Sequence, residues 1–336
     1  MKALVLHGKD GNYRYESDWK KPSKTDKRAV IKVAYCGICG SDIPRFKSEG
    51  SYQHPVILGH EFSGMVSEVA SNDSKFKVGD AVAISPIIAC ENCVDCRKAG
   101  PFHCTNYQFL GSRIDGGFAE YCAVPETNLI KLESAEMLKV GSLVEPMAVG
   151  LHAVRRSGFT PGKKALVLGA GPIGIIIGLW LREFGAEKVY IADIRERNIE
   201  VVRNMGFEVM NLSKTKITHI EKVTYAFEAA GSAKAIEDAI NALETRGIFT
   251  VVGRDEKNTV IECKTFEMLM RKEISLLGCW GYDLNGEEGL ITKTLLKYKR
   301  ELESLISHTI PIEESESMVN RLCLAELEYC KIVLSL

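Results

Sequence analysis

Short β-type hydrophobic runs dominate the first half of the chain. Apolar residues recur in brief segments, and glycine, proline, asparagine and aspartate cluster between them, which is typical of strands joined by turns. The pattern predicts a β-rich, barrel-like domain before about Val149. The predicted strands lie in ALVL, AVIKVAY, GMVSEVA, DAVAIS, GGFAEYCAV and NLIKL.

After Gly150 the pattern changes to β-branched runs that alternate with helical stretches. ALVLGAG precedes PIGIIIGLWLREFG, KVYIADI precedes a helix predicted over Glu196 to Met205, and YAFEAAG precedes the helical AKAIEDAINALE. GIFTVVG and ISLLGCW are further β-type runs. Such alternation favours a doubly wound parallel sheet.

The end of the chain is too short for a third domain. Beyond Asp283 the pattern predicts a lysine-rich helical stretch over Thr292 to Ser304, then a helix and a last strand. We expect these elements to return to the first domain. The predicted fold is α/β, with one domain of residues 1–149 and 288–336 and a second of residues 150–287.

Charge and hydropathy exclude several function classes. Among 336 residues, 43 are lysine or arginine and 44 are aspartate or glutamate, so no basic field exists for nucleic acid or an anionic membrane. The longest uncharged run, Ala165 to Leu181, contains four glycines and is too short for a membrane span. The N-terminus has no secretory pattern, so we expect a cytoplasmic protein with reduced thiols.

Four of the eleven cysteines have the spacing of a closed metal site. Cys90-x2-Cys93-x2-Cys96-x7-Cys104 provides four thiolates within fifteen residues, enough for a tetrahedral structural Zn²⁺. An iron–sulfur cluster, a nucleic-acid-binding zinc ribbon and packed free thiols are the alternatives. The ferredoxin spacing differs from this one, and the surrounding charge is mixed.

A glycine fingerprint opens the predicted parallel sheet. Gly169-x-Gly171-x-x-Gly174 follows a strand and begins an apolar helix whose first residues are Pro172 and Ile173. The glycines permit a tight turn, close approach of a pyrophosphate and close helix packing. The alternative is that these glycines only form a tight strand-to-helix turn in an α/β sheet that binds no cofactor.

The expected acidic residue follows the fingerprint. Asp193 ends the strand KVYIAD, where it would bind ribose hydroxyls and repel a 2′-phosphate, so NAD is favoured over NADP. Arg195 and Arg197 keep NADP open. The ends of the next two strands, Phe227 to Gly231 and Val251 to Arg254 with Val252 and Gly253, should line the nucleotide pocket.

Three further segments offer ligands for an open metal site. Cys39 lies in CGICGSD, His60 and Glu61 are adjacent in GHEFSG, and Glu145 precedes Pro146. A catalytic zinc takes three protein ligands of such mixed type and keeps one position open. Each residue alone is a weak signal, since a lone histidine or glutamate is more often a loop residue or a solvated charge.

With these motifs together, the chain resembles the zinc-dependent medium-chain dehydrogenase/reductase family over essentially its whole length. The resemblance implies a GroES-like catalytic domain and a Rossmann domain, with Cys39, His60 and Glu145 as catalytic zinc ligands. It also implies that Glu61 is a neighbouring or exchanging ligand. The motifs are CGICGSD, GHEFSG, KVGDAV, the four-cysteine lobe, GGFAEY, EPMAVGLHA and GAGPIG.

The resemblance implies an NAD-dependent dehydrogenase with two Zn²⁺ per chain that oxidises a secondary alcohol of a polyol or an alditol phosphate. Ser41 would pass the proton of the substrate hydroxyl to solvent or to the nicotinamide ribose. The alternative is that Ser41 is a turn residue that bonds the backbone. Arg45 and Arg113 are candidates for binding a substrate phosphate, and surface charge is equally possible for each.

Two positions depart from the sorbitol dehydrogenases of the family, and a third departs from the usual residue after the ribose acid. Pro44 replaces a histidine, Gly281 replaces an arginine, and Asn198 stands where a basic residue usually follows the ribose acid. Other polyol or threonine-type zinc dehydrogenases, and a zinc-free or non-catalytic relative, remain alternatives. Family members are commonly homodimers or homotetramers, and ISLLGCWGY is either an edge strand for such pairing or an internal strand.

Overall fold

The computed structural model of the protein describes residues 1–254, 259–284 and 286–336. Contacts between Cα atoms divide the chain into two units. The first unit comprises Met1–Glu145 together with Asp283–Leu336, and the second comprises Pro146–Tyr282. The first unit is therefore discontinuous in sequence.

The N-terminal part of the first unit consists mainly of short strands rich in valine, isoleucine and alanine. Such residues suit the pleated, half-buried surface of a sheet. The strands are β1 (Ala3–Leu6), β2 (Tyr13–Glu16), β3 (Arg28–Ile38), β4 (Val56–Ile57), β5 (Glu61–Glu68), β6 (Ala81–Ile84), β7 (Ile87–Ile88), β8 (Gln108–Phe109), β9 (Tyr121–Pro125) and β10 (Leu129–Lys131).

Helices in this part are short and occupy the connections between strands. They are α1 (Asp42–Pro44), a π-helical turn (Arg45–Glu49), α2 (Val94–Ala99), 3-10 turns at Pro101–His103, Glu126–Asn128 and Ala135–Met137, and α3 (Leu138–Gly141). The longer helix α4 (Val144–Arg156) begins in the first unit and continues into the second.

The second unit alternates strands and helices, as the sequence pattern predicts. Its elements are β11 (Lys164–Leu168), α5 (Pro172–Glu183), β12 (Lys188–Asp193), α6 (Glu196–Asn204), β13 (Glu208–Asn211), a 3-10 turn (Ile217–His219), β14 (Val223–Glu228), α7 (Ala233–Ala242), β15 (Leu243–Val251), α8 (Cys263–Arg271) and β16 (Ser275–Gly278).

The C-terminal segment lies in the first unit. Tyr298 divides the single predicted helical stretch into two helices, and the first of them begins four residues earlier than predicted. The elements are α9 (Glu288–Lys297), α10 (Lys299–Leu305), β17 (Ile306–Pro311), a 3-10 turn (Ile312–Glu314), α11 (Ser315–Cys323) and β18 (Lys331–Ser335).

The last strand completes the main sheet of the first unit. This sheet has the order β10-β6-β5-β3-β18-β17, and β9 also pairs with β3. β18 runs antiparallel to β3, with Ile332 opposite Ile38 and Leu334 opposite Cys36. The start of β18, next to Lys331, thus lies beside the end of β3, just before Cys39.

The sheet of the second unit is parallel throughout, with the order β13-β12-β11-β14-β15-β16. This is the doubly wound order 3-2-1-4-5-6. The helix predicted to reach Glu244 ends at Ala242, because buried Leu243 already pairs with Val223 in β15. β16 is one of the two edge strands, and Leu276 within it and Trp280 just after it are exposed.

Among the described residues, no single helix has the length and hydropathy to cross a membrane. One bent pair, Ala135–Gly141 with Val144–Arg156, passes the same test on combined length and composition. Met137, Leu138 and Leu151 of this pair are buried in the protein, as is usual for core helices.

Candidate functional site

Strand pairing in the first unit brings Cys39 next to His60. Cys39 directly follows β3, His60 directly precedes β5, and the register places Gly37 opposite Glu61. The ligand atoms of Cys39, His60 and Glu61 all lie within 4.8 Å of one another. Two of the three predicted ligands of a catalytic zinc are therefore in contact distance of one ion.

Asp42 orients both of these ligands. It is 1% exposed, its Oδ2 accepts the Cys39 backbone N–H at 3.0 Å, and its Oδ1 lies 3.5 Å from His60 Nδ1. A histidine that donates Nδ1–H to a carboxylate presents Nε2 to a metal. Burial disfavours the charged ring, yet Asp42 and Cys39 hold the pKa of His60 well above its ordinary value.

A lysine from the last strand fixes the neighbouring glutamate. Lys331 Nζ donates to Glu61 Oε1 at 2.8 Å and Oε2 at 2.6 Å, and to the Ile38 carbonyl at 3.2 Å. Lys331 is 4% exposed and Glu61 2%. Sequence reasoning missed Lys331, although a lysine at the start of the apolar strand KIVLS is a signal for a buried partner.

Glu145 lies outside the group of three but belongs to the same electrostatic cluster. It is buried in the first turn of α4, and burial raises its pKa to about 7, while His60 lowers that pKa and Glu61 raises it. Asp42, Glu61 and Glu145 are thus buried acidic groups in one cluster, and Lys331 is the buried lysine that faces them. A divalent cation would offset this surplus of negative charge, so the donor set fits zinc.

The four spaced cysteines converge in a separate lobe of the first unit. Their sulfur atoms lie within 4.8 Å of one another, with Cys90 Sγ 3.9 Å from Cys96 Sγ and 3.4 Å from Cys104 Sγ. Zn–S bonds of about 2.3 Å in a tetrahedron require sulfur atoms roughly 3.8 Å apart. The spacing therefore fits a closed tetrahedral ion, and none of these cysteines forms a disulfide.

Backbone N–H groups lower the pKa of Cys90 and Cys93, whereas burial and the neighbouring thiols raise the pKa of Cys96. The Cys96 N–H donates to Cys93 Sγ at 3.4 Å, where Cys93 caps α2, and the Asn106 N–H donates to Cys104 Sγ at 3.4 Å. The N–H groups of Cys96 and Thr105 lower the pKa of Cys93 to about 6. A metal requires deprotonated sulfur, so this environment suits coordination.

Ser41 is exposed at the start of α1 and makes no capping hydrogen bond. If Ser41 were only a turn residue, its side chain would be expected to bond the backbone of α1, and it makes no such capping bond. Its hydroxyl stays available next to Cys39 and Asp42.

The glycine fingerprint has the local geometry of a phosphate-binding turn. Gly169 has φ of +104°, and Gly171 precedes α5, where Pro172 begins the helix and Ile173 follows. A Cβ on Gly174 would lie 1.8 Å from the Gly169 carbonyl oxygen, whereas a Cβ on Gly171 would meet nothing within 4 Å. Gly174 is thus required for packing, and Gly171 leaves room above the helix N-terminus.

Asp193 lies at the end of β12, beside the fingerprint. Its Oδ2 accepts the Ala170 N–H at 2.7 Å, and its Oδ1 accepts the Arg195 N–H at 2.9 Å. Burial works against the charge, but these N–H groups and the Arg195 guanidinium lower the pKa of Asp193. Its carboxylate is therefore charged and fixed where a ribose hydroxyl would donate.

The two other predicted cofactor contacts follow β15. The N–H groups of Val252 and Gly253 both donate to the Glu228 carbonyl at 2.9 Å, which joins the ends of β14 and β15. Arg254 directly follows these two residues.

Arg45 and Arg113 lie close together, with Tyr52 between them. The Arg113 guanidinium is 4.0 Å from the Tyr52 ring centroid and 4.4 Å from that of Tyr107, and the Arg45 guanidinium is 5.3 Å from Tyr52. Within the described residues neither arginine forms an ion pair with a carboxylate. Arg113 Nε is buried and has no hydrogen-bond partner there.

The arginine pair is connected to the predicted zinc ligands. The Arg113 N–H donates to the Phe109 carbonyl at 3.0 Å, and the Phe109 ring centroid is 5.5 Å from that of His60. Arg45 follows Asp42 by three residues, and Arg45 Nη1 donates to Ser51 Oγ at 3.4 Å. Both guanidinium groups are thus held by segments that also shape the cysteine–histidine site.

Comparisons with known proteins agree with this architecture. Residues 25–134 match the alcohol dehydrogenase GroES-like domain, and residues 172–295 match the zinc-binding dehydrogenase domain. Galactitol 1-phosphate 5-dehydrogenase of Escherichia coli K12 is 31% identical over 320 residues, which covers 92% of each chain. The chain belongs to the zinc-dependent medium-chain dehydrogenase/reductase family.

Solved structures extend the similarity to the whole chain. The crystal structure of E. coli galactitol-1-phosphate dehydrogenase matches with a TM-score of 0.92 and 29% identity, over 100% of both chains. The strings GSDIPRF (40–46), HPVILGHEFSG (54–64), GSRIDGGFAEY (111–121) and VEPMAVGLHA (144–153) resemble this enzyme. The predicted resemblance and the predicted GroES-like and Rossmann architecture are confirmed.

Two further solved structures contain nicotinamide cofactors. An alcohol dehydrogenase from E. coli CFT073 in complex with NADH has a TM-score of 0.88, and a zinc-binding dehydrogenase from Sinorhizobium meliloti bound to NADP has a TM-score of 0.90. Each is 25% identical, and each match covers 100% of this chain and 99% of the other. Related chains therefore include binders of either dinucleotide.

Two glycine substitutions separate folding from cofactor binding. We expect Gly174→Ala to lower the free energy of unfolding by about 3 kcal/mol, because its methyl group would overlap a backbone carbonyl. Gly171→Ala should leave unfolding unchanged and weaken NADH binding. Urea denaturation and NADH fluorescence titration measure the two effects, and equal stability of both variants would contradict the prediction.

Removing the buried ammonium should leave Glu61 uncompensated. We expect Lys331→Met to lower the free energy of unfolding of the zinc-loaded protein by about 3–5 kcal/mol. A second change, Glu61→Gln, should recover part of the loss because the unpaired charge is gone. The matched control is Lys32→Met, an exposed lysine on the adjacent strand. A Lys331→Met variant as stable as this control would show that the pair is dispensable.

Proposed function

We propose that the protein is a zinc-dependent dehydrogenase that oxidises a secondary alcohol of a polyol or alditol phosphate, with NAD⁺ as hydride acceptor. The products are the corresponding ketone, NADH and a proton. The observation that carries this proposal is the convergence of the ligand atoms of Cys39, His60 and Glu61 within 4.8 Å, beside a buried Glu145 that interacts electrostatically with His60 and Glu61. The family membership and the galactitol 1-phosphate relative support it.

In this proposal Cys39, His60 and Glu145 hold the catalytic Zn²⁺, which supplies a Lewis acid for the substrate hydroxyl. Asp42 keeps His60 in the tautomer that presents Nε2. Lys331 engages both oxygens of Glu61, so that Glu61 is retained beside the ligands. Ser41 is exposed and its hydroxyl makes no capping hydrogen bond, so it accepts the substrate proton and passes it to solvent.

The second Zn²⁺ belongs to Cys90, Cys93, Cys96 and Cys104. Four thiolates complete its tetrahedral coordination, so it has no position for substrate. Its role is structural, because it holds together a lobe that contains only the six-residue helix α2 and short turns.

We favour NAD over NADP because of Asp193. Its carboxylate is buried, charged and fixed by two N–H groups at the end of β12. A 2′-phosphate placed there would meet this negative charge, whereas ribose hydroxyls would donate to it. Arg195 is turned toward Asp193, with 3.4 Å between its guanidinium nitrogens and the carboxylate. The arginine is thus already paired with the acid.

A phosphate on the substrate suits Arg45 and Arg113. Two half-buried guanidinium groups without carboxylate partners in the described structure retain free N–H donors, and guanidinium geometry matches phosphate oxygens. Pro44, which precedes Arg45, occupies the position where a histidine would take part in a proton relay. The proposed proton acceptor near the site is therefore the hydroxyl of Ser41.

We also propose that two copies associate through β16. This strand is one edge of the parallel sheet, and it exposes Leu276, while Phe266, Met270 and Trp280 are exposed on adjoining segments. An unpaired edge with apolar side chains is suited to pairing with a second copy. The native mass of the protein reports this association together with the metal content.

Native mass spectrometry tests the metal assignment. We expect two Zn²⁺ per chain and a mass of a dimer or tetramer. Cys39→Ala should retain one Zn²⁺ and its fold but lose turnover, and Cys96→Ala should lose the other ion and unfold more easily. Cys263→Ala, at an exposed cysteine in α8, is the control and should keep both ions. One Zn²⁺ in zinc-replete wild-type protein would refute the open site.

Substrate kinetics test the phosphate assignment. We expect Arg45→Ala and Arg113→Ala each to raise KM for an alditol phosphate at least about tenfold, since a charge-assisted hydrogen bond contributes about 1.5–3 kcal/mol. KM for the free alditol should change less than about twofold. Arg14→Ala is the control, because Arg14 is exposed and paired with Glu16. Equal changes for both substrates would exclude a phosphate site at this pair.

A further inference from the structure

Glu228 is a buried carboxylate to which the proposed chemistry assigns no role. It is the last residue of β14, at the centre of the parallel sheet, and it is 1% exposed. Within the described residues no lysine or arginine pairs with it. A buried charge of this kind is retained only where hydrogen bonds compensate for lost water.

Backbone N–H groups provide that compensation. Glu228 Oε1 accepts the Ala230 N–H at 2.8 Å and the Gly231 N–H at 2.6 Å, with the Ser232 N–H at 3.4 Å. Burial raises the pKa of Glu228, and these donors oppose the rise. The side chain therefore folds the segment after β14 back over the end of its own strand.

The same residue also holds the segment after β15. Its carbonyl accepts the N–H groups of Val252 and Gly253, and a Cβ on Gly253 would lie 2.5 Å from Glu228 Oε2. The carboxylate thus occupies the space that a larger residue at 253 would need. One glutamate fixes both loops, residues 229–232 and 252–254.

Both loops belong to one half of the nucleotide-binding sheet. A Cβ on Gly169 would lie 2.8 Å from the Ala229 carbonyl carbon, so the first loop contacts the fingerprint turn. In the order 3-2-1-4-5-6, strands 1 to 3 bind one mononucleotide and strands 4 to 6 bind the other. Asp193 ends the second strand and serves the adenosine half, which leaves β14 and β15 for the nicotinamide half.

We infer that Glu228 is a positioning residue for the nicotinamide mononucleotide half of the cofactor, an inference that rests on the proposed dinucleotide function. Without the carboxylate, the buried N–H groups of Ala230 and Gly231 lose their acceptor. The two loops then leave the conformation in which they border the nicotinamide half. The adenosine half, formed around Asp193, keeps its geometry.

Isothermal titration with NADH and with 5′-AMP tests this inference on the zinc-loaded protein. We expect Glu228→Ala to raise Kd for NADH at least about tenfold, because two buried donors lose their partner, and to change Kd for AMP less than about twofold. Glu228→Gln keeps one acceptor oxygen and should restore most of the NADH affinity. Glu228→Asp keeps the charge but is shorter, and should resemble the alanine variant.

Glu208→Ala is the matched control, since Glu208 is an exposed glutamate at the amino end of β13 in the same sheet. Equal weakening of NADH and AMP would show a general structural role and overturn the inference. Unchanged NADH affinity in the alanine and aspartate variants would overturn it as well, while the proposed function stands. If wild-type protein binds neither NADH nor NADPH, both the proposed function and this inference fail. If Glu228→Ala does not fold, the comparison of Glu228→Gln with Glu228→Asp decides.

Discussion

The buried ion pair between Lys331 and Glu61 is the constraint on which the first unit depends. Both groups are almost fully withdrawn from water, and neither charge is tolerable there without the other. The pair requires β18 to lie against β3 in one register, because a shift of one residue would turn the ammonium to the other face. The register of β3 with β5, in which Gly37 lies opposite Glu61, keeps Glu61 and the adjacent His60 beside Cys39, and Lys331 reaches Glu61 from β18.

Charge is distributed differently in the two units. In the first unit, acidic side chains exceed their buried cationic partners, which prepares a site for a divalent ion. In the second unit, Asp193 and Glu228 are compensated by backbone N–H groups at strand ends, so each carboxylate fixes a loop. The same side-chain chemistry therefore serves to attract a ligand in one unit and to shape the backbone in the other.

The sequence was sufficient wherever the signal is local. The spacing of four cysteines, the glycine fingerprint and the alternation of strands and helices all reflect contacts between near neighbours in the chain. Lys331 was missed because its partner is 270 residues away. Glu228 lies within the predicted range 227–231, but its role in holding the loops was not predicted, because the groups that donate to its carboxylate are backbone N–H groups and carry no sequence signal. The break at Tyr298 and the early start of β15 were likewise decided by tertiary packing, which outweighs helix propensity.

The discontinuity of the first unit has a consequence for how the protein is made. The proposed zinc ligands Cys39, His60 and Glu145 are synthesised early, then the whole second unit, and only afterwards the strand that contains Lys331. Until that strand leaves the ribosome, Glu61 has no cationic partner and β3 presents an open edge where β18 will pair. The nascent first unit is therefore an unfinished sheet around an uncompensated charge, and the second unit can fold while the first still waits for its last strand.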